Sequence, residues 1–102
     1  MLIRDFLEPL PWINLDSVRW MAEREVSLLA SDIGDRPPIM GEIMPLHAVA
    51  LPRLGLPLID GAEVNPLAEL CAELGRYSFL FTVGAIPVIG ATGIPVNPLA
   101  VF

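Results

Sequence analysis

The stretch that decides the fold is SFLFTVGAIPVIGATGIPVNPLAVF, residues Ser78–Phe102, in which no side chain carries a charge. As a helix it would be long enough to cross a bilayer. Its composition argues against that. Pro87, Pro95 and Pro98 would each cost a helix interior about 3 kcal/mol, and Gly84, Gly90 and Gly93 would weaken it further. Tyr77–Ile86 is rich in aromatic and β-branched side chains and Pro95–Phe102 is a second apolar run, so the segment reads as two strands with Gly90-Ala91-Thr92-Gly93 as a turn between them. Both runs are continuously apolar rather than alternating, and the strands are therefore expected to be covered on both faces.

The whole chain poses the same question. Its 102 residues are 54% hydrophobic and 18% charged, with a mean hydropathy of +0.62. A chain this short buries only about 60–68% of the surface it exposes when unfolded, so an ordinary monomer needs more polar cover than this one has. With a membrane helix disfavoured, the apolar excess is assigned to a sheet interior or a subunit interface. The length allows one domain at most, and the expectation is a single partial domain over 1–102. The net charge of −6, with six scattered Arg and no Lys, offers no footprint for a phosphate backbone and argues against nucleic acid as a partner. One cysteine, Cys71, excludes an internal disulfide framework and a Cys-rich zinc site. Met1–Leu10 carries Asp5 and Glu8 and lacks the basic start and apolar core of a signal peptide, so a cytoplasmic location is the default.

Toward the amino end, Asn14 or Asp16 can cap a helix running to about Arg24, with Leu15, Val18, Met21 and Ala22 as its apolar face. Glu25–Ala30 reads as a strand ending in Ser31 and Asp32, and the carboxyl ends of strands are where ligands gather in open sheets. Ile33–Pro45, with Gly34, Pro37, Pro38, Gly41 and Pro45, is a long loop of the kind that often serves function. Leu46–Leu54 can form a short helix stopped by Gly55 and limited or kinked by Pro52, and Pro57–Asp60 a short buried strand. The clearest local signal is Asn65–Gly75, with Asn65 as N-cap, Pro66 at the first helical position, Leu67, Leu70, Cys71 and Leu74 as the buried stripe, and Gly75 as the stop.

No phosphate-binding glycine loop, Gly-x-Ser-x-Gly elbow, zincin His pair or Gly-x-Gly-x-x-Gly fingerprint occurs. The single histidine, His47, stands at the start of the short helix, and Asp60 at the carboxyl end of the following strand. An imidazole nitrogen and a carboxylate oxygen brought from two neighbouring elements can share zinc or manganese. From spacing alone, an ordinary hydrogen-bonded or partly exposed histidine is the commoner outcome. Two ligands are also one short of a catalytic zinc site, so the remainder must come from elsewhere. Asp32, Asp35 and Glu42 are weaker candidates, since charged residues in such loops are usually solvated. Cys71 reads as an inert buried thiol, and Trp12 and Trp20 as packing or interface residues, although an aromatic at a site mouth can stack on a planar substrate.

The order of segments carries more information than any one residue. Leu15-Asp16-Ser17-Val18-Arg19-Trp20-Met21-Ala22-Glu23-Arg24-Glu25-Val26, Leu28-Leu29-Ala30-Ser31-Asp32, Pro45-Leu46-His47, Leu54-Gly55-Leu56-Pro57-Leu58-Ile59-Asp60, Arg76-Tyr77-Ser78-Phe79-Leu80-Phe81 and Gly90-Ala91-Thr92-Gly93-Ile94-Pro95-Val96-Asn97-Pro98-Leu99-Ala100-Val101 follow one another in the chain. From about Pro9 to Phe102 this succession resembles the carboxyl half of the cyclase family of metal-dependent hydrolases, which includes bacterial kynurenine formamidase and isatin hydrolase.

The resemblance implies an α/β fold, the carboxyl half of a swivelling β/β/α cyclase-like domain with a mixed or barrel-like sheet, completed by another chain. It implies hydrolysis of a small amide, lactam or ester by water activated on zinc or manganese. His47 matches the family's later metal-binding histidine, and Asp60 its later acidic ligand, where Glu is usual. Asp is one methylene shorter, so the second metal position is displaced, weakened or lost. Asp32 matches a polar position near the site. The signature His-x-Gly-Thr-His-x-Asp-x-Pro-x-His belongs to the family's amino half and is missing here.

A natural split enzyme, a fragment of a longer chain and a degenerate structural half all remain open, and the split enzyme accounts best for the apolar composition. The expectation is thus one subunit of a cytoplasmic hetero-oligomeric hydrolase, inactive alone. It supplies His47 and Asp60 to a site whose other ligands and catalytic groups come from a partner bearing the signature motif. The alternative is a non-catalytic interaction subunit of such a complex.

Overall fold

The computed structural model describes residues 11–35 and 43–102. The chain divides into two compact units, Met1–Ala62 and Glu63–Phe102. Among the described residues there are three helices and two small sheets in a mixed α/β arrangement, as the sequence leads one to expect.

In the first unit, helix α1 spans Leu15–Glu23. Asn14 caps it: its side-chain oxygen accepts from the Ser17 amide and the Ser17 hydroxyl, both at 2.9 Å. The helix buries Val18 and Met21, while Leu15, expected on the apolar face, is exposed. It ends in a Schellman motif. The Val26 amide donates to the Met21 carbonyl and the Glu25 amide to the Ala22 carbonyl, with Glu25 held at φ 52°. The expected strand from Glu25 is therefore a helix stop at its start, and strand β1 is only Leu29–Ser31.

A second helix, Pro45–Leu54, is of the wide i→i+5 type. The sequence led us to expect Pro52 to end or kink it. The wider turn instead accommodates a residue that has no N–H and whose ring presses on the carbonyl four positions back in an α-helix. Gly55, at φ 65°, terminates it. Strand β2, Leu58–Asp60, then pairs in parallel with β1 in the register Leu29↔Leu58, Ala30↔Ile59, Ser31↔Asp60. This is a βαβ crossover whose helix is the wide one. Its core is Val18, Met21, Leu46, Ala50 and Leu56, with Ile13, Val26, Leu29, Val49 and Leu58 packed against it. Leu46 is fully enclosed.

The second unit contains helix α2, Asn65–Leu74, and an antiparallel pair, β3 Leu80–Thr82 and β4 Leu99–Val101. Val64 rather than Asn65 stands at the N-cap of α2 and makes no side-chain cap bond; Asn65 is already helical. Gly75, at φ 59°, closes the helix in the same Schellman pattern as α1, through Arg76 to Cys71 and Gly75 to Ala72. Of the expected stripe only Cys71 is buried; Leu70 and Leu74 are exposed.

The two strands fall within the expected runs, and the Ala91 amide closes a turn on the Val88 carbonyl with Gly90 at φ 78°. Their cover differs from expectation. Tyr77, Leu80, Phe81, Ile86, Val88, Ile89, Leu99 and Val101 are all exposed on this chain. An uninterrupted apolar run signals that a strand needs cover on both faces, and among the described residues these side chains do not have it. Among the described residues no helix is long and apolar enough to cross a membrane.

Candidate functional site

The βαβ crossover gathers three side chains at the carboxyl end of its strands. Asp60 is the last residue of β2, beside Ser31 at the end of β1. His47 lies in the first turn of the wide helix, as its third residue. Asp35 lies four residues beyond β1, where a parallel bridge to Ile13 holds its backbone. Two bonds fix the surroundings: the Ile33 amide donates to the Ser31 hydroxyl at 3.1 Å, and the Ala62 amide to the Ser31 carbonyl at 3.0 Å.

Asp35 is the hub. Its carboxylate accepts from the Leu46 amide through Oδ1 and from the His47 amide through Oδ2, both at 2.7 Å. These are free N–H groups at a helix start whose own N-cap, Met44, offers no side-chain acceptor. The same Oδ2 lies 2.9 Å from His47 Nδ1. On the other side of the ring, His47 Nε2 lies 3.2 Å from Asp60 Oδ2. The Asp35 side chain is only 4% exposed, against 43% for His47 and 51% for Asp60. The imidazole thus has a buried, anchored carboxylate on one nitrogen and a half-exposed one on the other. The hydrogen bond to Asp35 raises the His47 pKa above its ordinary value, helped by the Asp60 charge and opposed by partial desolvation.

His47 and Asp60, the two residues singled out from the sequence, therefore meet. Zinc–nitrogen and zinc–oxygen bonds are about 2.0–2.2 Å, so two donors on one ion stand about 3.0 Å apart at a right angle and about 3.4 Å apart at a tetrahedral angle. The 3.2 Å separation falls between these. Asp35 is engaged on the far side of the ring, and among the described residues no group of three or more His, Cys, Asp or Glu side chains is placed to hold a metal ion.

Of the weaker candidates, Asp32 is exposed and is not a partner of His47 among the described residues, and Glu42 lies outside them. Cys71 is buried on α2, in the other unit. Trp20 is exposed beneath the Arg24 guanidinium, 4.2 Å from its ring centre. With Ile13, Asn14, Asp16, Ser17 and Met21 it lines an open hollow that shares no residue with the His47 cluster.

Sequence reasoning passed over Asp35 as a solvated loop residue. Its partners are two backbone amides and a ring nitrogen eleven and twelve positions away, a pattern with no local signature. No family model, no curated protein and no solved structure matches the chain.

Proposed function

We propose that this chain is the carboxyl half of a metal-dependent hydrolase of the cyclase family. In this reading it contributes His47 Nε2 and Asp60 Oδ2 to a zinc or manganese site whose remaining ligands and catalytic groups belong to a partner chain bearing the His-x-Gly-Thr-His-x-Asp motif. The observation that carries the reading is the 3.2 Å approach of these two donors at the carboxyl end of a parallel strand pair. Asp60 makes that approach despite being shorter than the Glu usual in the family.

A divalent metal, when bound, polarises a carbonyl under attack and acidifies water. The chain's own share is to hold the ion from one side and orient it. The substrate class is a small amide, lactam or ester. The exposed apolar side chains of Glu63–Phe102, in which Cys71 alone is buried, support a partner that covers them, since obligate interfaces resemble a domain core cut in half. A swivelling β/β/α domain would be completed by that partner, in the cytoplasm.

The second reading, a non-catalytic interaction subunit, is favoured by the same pair seen differently. Protonated His47 between two carboxylates is a complete ion-paired cluster that needs no metal.

Metal analysis and amide hydrolysis by the assembled complex separate the two. Under the hydrolase reading, His47→Ala removes most metal and turnover and Asp60→Asn lowers both. Under the second, neither substitution changes them.

A further inference from the structure

A neutral imidazole carries one N–H and one lone pair, and here each ring nitrogen faces a carboxylate. Only one carboxylate can receive the proton. The contact to Asp35 is the shorter, at 2.9 Å against 3.2 Å, and Asp35 is nearly sealed from water while Asp60 is half exposed. A hydrogen bond in the less polar surroundings is the stronger, and a lone pair held against a buried carboxylate is the costlier mistake.

Asp35 also cannot turn away. Its two oxygens hold the Leu46 and His47 amides at 2.7 Å, and rotating the carboxylate would orphan both. Asp60 carries no such obligation among the described residues and can turn its oxygens to solvent.

We propose that Asp35 is a positioning residue that fixes neutral His47 with its proton on Nδ1 and its lone pair on Nε2, so that the ring is pre-set to accept a divalent cation on the Asp60 side. The cation part rests on the metal-site reading above; the tautomer part stands without it. Asp35 then does two tasks with one carboxylate. It caps the wide helix, and through that helix it sets both the position and the tautomer of its third residue. A carboxylate on the outer nitrogen of a metal-binding histidine sharpens affinity, and its loss typically costs about 10–100-fold in metal binding.

The chain holds one histidine, so a [15N]histidine label in the full chain, within the assembly in which it purifies, reports His47 alone. Nitrogen chemical shifts and couplings to the ring protons distinguish the two neutral tautomers. Zinc ion added to the same sample gives the affinity by calorimetry.

The expected result, read at a pH where the ring is deprotonated, is an Nδ1–H tautomer in the unaltered chain. In Asp35→Asn the side-chain amide can donate to Nδ1, so the ring turns to Nε2–H and zinc affinity falls about tenfold or more. An Nε2–H tautomer in the unaltered chain overturns the proposal and needs no variant to fold. A folded Asp35→Asn chain with the original tautomer and the original zinc affinity overturns it too, leaving Asp35 as a helix cap only. An Nδ1–H ring in a chain that binds no zinc supports the positioning role while removing the metal-site reading.

Discussion

Asp35 Oδ2 and His47 Nδ1, twelve residues apart in the chain, meet at 2.9 Å, and the same oxygen accepts the backbone N–H of His47 at 2.7 Å. One carboxylate oxygen thus grips both ends of the same residue. The grip ties the loop after β1 to the first turn of the wide helix, and so joins helix capping to the presentation of Nε2 beside Asp60.

That arrangement makes the metal-free fold sensitive to pH. The pKa of His47 is raised in the folded state, chiefly by the Asp35 hydrogen bond, while the unfolded value is near 6.5. The protonated ring therefore favours the folded state. Its contribution is fully present below about pH 6.5 and is lost as pH rises through the folded-state value. The melting temperature of the metal-free chain is expected to fall as pH rises from about 6.5 through the folded-state value, by more than that of His47→Gln. Zinc should reverse the trend, because it competes with the proton for Nε2 and binds more tightly as the ring deprotonates. Thermal melts across this range, with and without zinc, check both signs.

The residue beside His47 carries the packing. Leu46 has no exposed surface and sits in the centre of the cluster formed by Val18, Met21, Ala50 and Leu56. Truncating such a leucine costs about 2–5 kcal/mol, a large fraction of the roughly 5–15 kcal/mol that holds a domain folded. Leu46→Ala is expected to unfold the Met1–Ala62 unit or to lower its urea midpoint steeply, and the His47 signal should lose its Asp35 contact in the same transition. A midpoint within experimental error of the parent would remove Leu46 from the core.

Two helices end in the same hydrogen-bond pattern with different residues in the left-handed position, Glu25 at φ 52° after α1 and Gly75 at φ 59° after α2. A side chain there costs about 1 kcal/mol relative to glycine. Glu25→Gly is therefore expected to stabilise the chain by about 0.5–1 kcal/mol, and Gly75→Ala to destabilise it by a similar amount. Chemical denaturation of the two variants tests the pair, and a loss of stability in Glu25→Gly contradicts the assignment.

Local signals in the sequence were sufficient for much of the frame. Asn14 as a cap, the stops at Gly55 and Gly75 and the strand runs around Ala30, Ile59, Phe81 and Ala100 follow from residues close together in the chain. The meeting of His47 with Asp60 does not follow from spacing, which favours an ordinary hydrogen-bonded histidine, and is suggested by the family resemblance. Three features escape both readings. Asp35 works at a distance of eleven and twelve residues on groups every chain possesses, and only the folded loop reveals it. The Pro45–Leu54 helix passes Pro52 by widening, an adjustment that propensity does not encode. The apolar faces of α2, β3 and β4 record a need for cover without recording who provides it, so residues expected to be buried stand exposed on this chain.

Exposure of the β3–β4 pair leads to the last expectation. Leu80 and Val101 are register partners and are 67% and 51% exposed. Neither contributes to a core within this chain, so charging them should leave the strands paired. Opposite charges facing each other across an antiparallel pair contribute about 0.2–1 kcal/mol, which helps offset the lost β-propensity. The double variant Leu80→Glu with Val101→Arg is expected to keep the far-ultraviolet circular dichroism of the parent. In the presence of the partner that the hydrolase reading requires, the same variant should fail to assemble, because two charges would be buried in an apolar interface. A folded variant that still forms the complex places the covering contact elsewhere than on this strand pair.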